Sequence, residues 1–65
     1  MTITLNGRPE ALESPTTLAA LLERLGYVSG FAVALNREFV PRGEYERTRI
    51  APGDELEVLA ARQGG

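Results

Sequence analysis

Leu18, Leu21, Leu22 and Leu25 stand at i, i+3, i+4 and i+7, the spacing that gathers four side chains onto one face of an α-helix. The best-patterned apolar residues on either side of them alternate with polar ones, at the period of a half-buried strand. In a chain of 65 residues those two patterns leave one economical arrangement, a single helix laid across one face of a single sheet. The leucine stripe is then the core itself and not a seam for a partner helix. A serine or threonine of Ser14-Pro15-Thr16-Thr17 offers the N-cap, with Pro15 in the first turn if Ser14 caps. Gly26 is placed to end the helix, and Glu23 and Arg24 fall on its wet side.

The strands follow from the same reading. Met1-Thr2-Ile3-Thr4-Leu5 turns Ile3 and Leu5 inward, and Asn6-Gly7 favours the tight turn of a hairpin returning over Arg8 to Glu13. Pro9 cannot donate to a ladder, so that returning strand belongs at a sheet edge. Phe31 to Leu35 puts Val33 and Leu35 on one face and Ala32 and Ala34 on the other. Asn36-Arg37-Glu38 turns into a short strand, Phe39-Val40, which Pro41 ends. The charged stretch from Gly43 to Arg49 suits one helical turn around Tyr45, and Ile50 drops back to the core. Pro52-Gly53 occupies the centre of a type II turn, after which Leu56 and Val58 point inward. The first and last strands are expected side by side at the sheet centre. The predicted class is α+β: a mixed sheet of four to five strands packed on one helix, with a domain over 1–59 and a flexible tail over 60–65.

Composition removes several kinds of function. There is no cysteine to form a disulfide or a thiolate site, and no histidine to act as base or ligand. A net charge of −2 with no basic stripe argues against nucleic acid. No apolar run reaches the length of a membrane span and no signal pattern opens the chain, so the expectation is a soluble cytoplasmic protein, monomeric when free. Glu44, Glu46, Asp54, Glu55 and Glu57 are too scattered for a metal cage and read as solubilising charge. All seven basic residues are arginine, so the chain offers no lysine ε-amine to another copy.

Chemistry concentrates at the end, Arg62-Gln63-Gly64-Gly65. Glycine has no Cβ, so two glycines can lie extended in a channel too narrow for any other residue, which would leave the terminal carboxyl carbon approachable from both sides. That suits activation as an acyl-adenylate followed by attack of a bulky sulfur or amine nucleophile.

The order of elements, together with Asn6, Leu21-Leu22, Ala32-Val33-Ala34-Leu35-Asn36, Val40-Pro41-Arg42, Ile50, Pro52-Gly53-Asp54 and Gly64-Gly65, resembles the ThiS/MoaD family of ubiquitin-like sulfur carriers, nearest its ThiS branch. The resemblance covers essentially the whole chain and implies the β-grasp fold. It also implies that a ThiF-type enzyme uses ATP to adenylate Gly65 and that sulfur mobilised by a cysteine desulfurase displaces AMP. The thiazole synthase ThiG then takes sulfur from the resulting thiocarboxylate. On this view the chain is a co-substrate and not an enzyme, binds no cofactor of its own, and inserts Arg62, Gln63, Gly64 and Gly65 into its partners. Family members often carry an apolar residue just before the glycines, where this chain has Arg62-Gln63.

Alternation assigns Thr2, Thr4, Ala32, Ala34, Glu55, Glu57 and Leu59 to the outer sheet face. Leu59, Ala32, Ala34 and Glu57 are the candidate docking residues. Arg42 is a candidate for an acidic partner, and Asn36 serves its turn. Within the family the alternative is a MoaD-like carrier for molybdopterin. Outside it stand a ubiquitin-like modifier joined to lysines through Gly65 and an interaction module whose tail is inert.

Overall fold

The computed structural model describes residues 1–60. Strand β1 (Thr2–Leu5) turns through Asn6 and Gly7 into β2 (Arg8–Ala11), and β3 (Thr16–Thr17) leads directly into helix α1 (Leu18–Arg24). Strands β4 (Phe31–Leu35) and β5 (Glu38–Val40) form a second hairpin. A 3₁₀ turn (Arg42–Glu44), β6 (Arg49–Ile50) and β7 (Glu55–Ala60) complete the order. The main sheet runs β2-β1-β7-β4-β5, with β1 and β7 parallel and the other pairs antiparallel. The first and last strands are thus neighbours, and β2, carrying Pro9, lies at an edge as expected.

The helix begins three residues later than a Ser14 cap would place it. Thr17 is the N-cap, its hydroxyl accepting from the Ala20 N–H at 3.2 Å, and Pro15 lies outside the helix. The physical reason is the short pairing of Thr16 with Ile50 and Thr17 with Arg49, which holds the backbone extended until Leu18. At the other end Gly26, at φ +91°, donates to the Glu23 carbonyl while Tyr27 donates to that of Leu22. These are the two crossed bonds of a Schellman ending, which satisfy carbonyls the helix would leave free. Leu18, Leu21 and Leu22 are fully buried and Leu25 is half-buried. They pack with Ile3, Leu12, Val33, Val40, Ile50, Leu56 and Val58 into one core.

The second strand is shorter than the sequence reading, ending at Ala11, and Leu12 turns into the core just beyond it. The Ala51–Asp54 turn has Gly53 at φ +83° and the bond from the Asp54 N–H to the Ala51 carbonyl at 3.1 Å, as its Pro-Gly centre requires.

Both hairpins close on an asparagine in the left-handed region, Asn6 at φ +50° and Asn36 at +52°. Each asparagine also reaches onto β7. Asn6 Oδ1 accepts from the Val58 N–H at 2.8 Å and Asn36 Oδ1 from the Glu55 N–H at 2.9 Å, so the turns grip the central strand from both sides. Only the Val58 bond is partly buried, so its loss strands a donor away from water. Asn6→Gly keeps the backbone geometry and removes the acceptor. It is expected to cost about 1–2 kcal/mol more than Asn36→Gly, read from denaturant midpoints at unchanged m-values. Equal losses would show that burial of the Val58 amide has no such weight.

Candidate functional site

The helix covers one face of the sheet and leaves the other to solvent. On that outer face the registers place Leu59 beside Ala32 and Glu57 beside Ala34, with Glu55 beside Thr4 across β1. Thr2, Ala32, Glu55, Glu57 and Leu59 are exposed, and Thr4 and Ala34 are half-buried. The four candidate docking residues therefore form two adjacent rows, both on the pair of strands that ends at Ala60. Leu59 is 70% exposed, a large apolar side chain held above flat alanine ground.

A second anchor went unrecognised in the sequence. Phe39 is 71% exposed and pairs with Ala34, which sets its ring on the same face, one strand further out. The signal was present: Val40 turns inward opposite Val33, so its neighbour in an alternating strand must turn outward. A two-residue apolar run hides that alternation, and the sequence reading assigns Phe39 to a short strand without giving it a face. With Phe39, Ala34, Ala32 and Leu59, the outer face is apolar toward the end of β7. Toward the start of β7 it is charged, with Glu55 lying 3.8 Å from Arg37. Such an exposed pair contributes little to stability.

The end of the sheet from which the chain leaves is braced from below. Ala60 pairs with Phe31, whose ring lies 5.5 Å from Tyr27 and stacks at 6.1 Å on Tyr45. Gly30, Phe31, Ala32, Leu59 and Ala60 line a shallow depression there. The candidate tail residues Arg62, Gln63, Gly64 and Gly65 lie outside the described residues.

The remaining polar groups do structural work. Asn36 donates to Asp54 Oδ1 at 3.1 Å, and Asp54 Oδ2 accepts from the Ala51 N–H at 2.8 Å, tying one hairpin to the Pro-Gly turn. Arg47 and Glu44 pair at 2.7 Å after the 3₁₀ turn. The hydrogen bond from Arg47, and then its charge, holds the Glu44 carboxyl below the usual glutamate range, and Glu44 raises Arg47 in turn. Both side chains are in water, so the pair fixes a local turn and poises no acid or base. Arg42, at the rim of a small hollow with Phe31 and Tyr45, is exposed. Among the described residues no group of three acidic side chains comes together at one point.

A five-stranded mixed sheet with β1 and β7 parallel at its centre, crossed by one helix, defines a β-grasp domain. The ThiS family model matches residues 3–65, which includes the terminal glycines. The chain belongs to the ThiS family. It is 42% identical to the sulfur carrier protein ThiS of Thermus thermophilus, covering 94% of this chain and 95% of that one. It is also 36% identical to a segment of a thiazole synthase from Paramagnetospirillum magneticum and 39% to one from Magnetococcus marinus. All of this chain matches in both, yet it spans only about a fifth of their length. The crystal structure of the thiamine biosynthesis protein ThiS from Geobacter metallireducens superposes with a TM-score of 0.86 at 29% identity, with both chains covered in full.

Proposed function

We propose that this chain carries sulfur on its own C-terminus for assembly of the thiazole ring of thiamin. The observation that carries the reading is the family match running through Gly65 on a β-grasp domain. The Gly65 carboxylate attacks the α-phosphorus of ATP on a ThiF-type enzyme and pyrophosphate leaves. A sulfur nucleophile, supplied through a cysteine desulfurase system, then attacks the acyl carbon, the bond to AMP breaks, and a thiocarboxylate remains. The thiazole synthase ThiG accepts that sulfur. Relatives named thiazole synthase include a segment similar to this whole chain, which supports the synthase as the receiving partner.

In this scheme the chain catalyses nothing. It lends an acyl group, and the nucleotide site and any proton transfer belong to its partners. Gly64 and Gly65 supply a tail slim enough for two different active sites, with Arg62 and Gln63 behind them. Leu59, Ala32, Ala34 and Glu57, together with Phe39, form the docking face, since any enzyme that takes Gly65 must close over the strand that delivers it. Exposed apolar side chains grouped on one flat face fit such a role.

The test is the intact mass of the chain after incubation with a ThiF-type enzyme, ATP and a sulfide source. The expected gain is the replacement of one oxygen by sulfur, dependent on ATP and localised to the peptide ending in Gly65. An unchanged mass, with the same enzyme active on another carrier, would overturn the reading.

A further inference from the structure

Asn6-Gly7 carries a chemistry beyond the turn it makes. Glycine has no Cβ, so nothing shields its backbone nitrogen from the amide carbon of an asparagine just before it. In that reaction the Gly7 nitrogen bonds to Asn6 Cγ and gives up its proton, while the Cγ–Nδ2 bond breaks and ammonia leaves. Water then opens the cyclic imide at either of its carbonyls. Cleavage on the Cγ side gives aspartate, and cleavage on the main-chain side gives isoaspartate. The balance is one water consumed and one ammonia released, with no oxidant or reductant.

Water is at hand, since Asn6 and Gly7 are both exposed. What the fold withholds is the geometry. Asn6 is tied to β7 at both ends: its N–H donates to the Leu56 carbonyl at 2.8 Å, and its Oδ1 accepts from the Val58 N–H at 2.8 Å. An amide whose oxygen is anchored on the neighbouring strand cannot swing round to face the Gly7 nitrogen. The backbone is fixed as well, with Asn6 at φ +50° and Gly7 at +83° between the paired Leu5 and Arg8. The second hairpin is an internal contrast. Asn36 Oδ1 is likewise tied to β7, at the Glu55 N–H, but the next residue is Arg37, whose Cβ crowds the nitrogen that would attack.

We propose that Asn6 is a latent site of self-modification, closed by the two bonds that hold the turn to β7 and open only when the turn leaves that strand. Opening is reversible and the modification is not. Isoaspartate adds a main-chain methylene to a tight turn, so the two bonds to β7 no longer fit together. A molecule that has opened and reacted therefore refolds with its central β1–β7 pairing loosened. None of this depends on the sulfur-carrier reading. Thiocarboxylate formation does not enter the measurement, so failure of either reading shows by itself.

The whole chain is held at mildly alkaline pH, in buffer and in guanidinium chloride concentrated enough to unfold it. Peptide mapping then separates asparagine, aspartate and isoaspartate at position 6. In denaturant Asn6 is expected to be lost first, with isoaspartate among the products, while Asn36 stays intact over the same period. In buffer the loss of Asn6 should be at least about 10-fold slower, because only opened molecules react. Leu21→Ala, which weakens the core without touching the turn, should bring the rate in buffer toward that in denaturant. Gly7→Ala should slow the reaction in denaturant, as a nucleophilic Gly7 nitrogen requires. Material with isoaspartate at position 6, returned to buffer, should melt below the parent. Equal rates for the parent in buffer and in denaturant would overturn the proposal, since the grip on β7 would then protect nothing. Loss of Asn36 as fast as Asn6, or an isoaspartyl product as stable as the parent, would overturn it too.

Discussion

Removing Gly64 and Gly65 is expected to abolish thiocarboxylate formation while leaving the domain as stable as before. The two effects separate because the core is complete by Val58 and the last described strand ends at Ala60. Deletion beyond that point should change stability by no more than about 0.5 kcal/mol, the range for surface changes that touch no packed group. Chemistry has no such tolerance. Two residues fewer draw the reacting carboxylate back by about 7 Å, and a displacement of about 1 Å can already cost roughly 10²-fold. Intact mass after treatment with the activating enzyme, ATP and sulfide reads the first effect, and the thermal midpoint reads the second. Replacing the two glycines by alanines restores reach without slimness, and an intermediate yield is expected from it. Full activity of the truncated chain would end the assignment of Gly65. A large fall in its midpoint would show instead that the tail belongs to the fold.

The parts of this fold visible in the sequence are those where one physical rule acts over several residues. Four leucines at helical spacing and two strands of clean alternation set the layers. Asn6-Gly7 and Pro52-Gly53 set two turns, through backbone angles that few other residues tolerate. What escaped notice depends on contacts between distant segments. The β3–β6 pairing joins two-residue pieces more than thirty positions apart, too short for any period to show, and it is what moves the helix cap to Thr17. The bond from Val58 to Asn6 crosses 52 residues and makes Asn6 more than a turn former. Phe39 escaped for a related reason. Its outward direction is fixed by the register of β5 on β4, and a run of two apolar residues carries no register of its own. The outer face was legible residue by residue wherever the strand was long, at Ala32, Ala34, Glu57 and Leu59. It was incomplete where the strand was short.

The largest loss of stability is expected at the helix. Leu21 is 1% exposed at the middle of α1, against a core that a domain of this size cannot replace elsewhere. Leu→Ala at such a site removes the transfer free energy of the side chain and leaves a cavity, together about 2–5 kcal/mol. A single core of this size supplies only about 3–5 kcal/mol in all. With no disulfide available, Leu21→Ala is expected to leave a large fraction of the protein unfolded at 25 °C. Leu59→Ala makes the same chemical change at a side chain 70% exposed and should cost less than about 0.5 kcal/mol. Far-ultraviolet circular dichroism against temperature compares the two directly. At about 4–8 °C per kcal/mol for a domain of this length, Leu21→Ala should lower the midpoint by at least about 8 °C, and Leu59→Ala by less than about 4 °C. Similar shifts for both would mean that the helix does not carry the core. The contrast also separates the two uses of leucine in this chain. Loss of Leu21 would weaken any partner binding by unfolding the domain, whereas on the proposed function loss of Leu59 is expected to weaken docking to a thiazole synthase in a protein that remains folded.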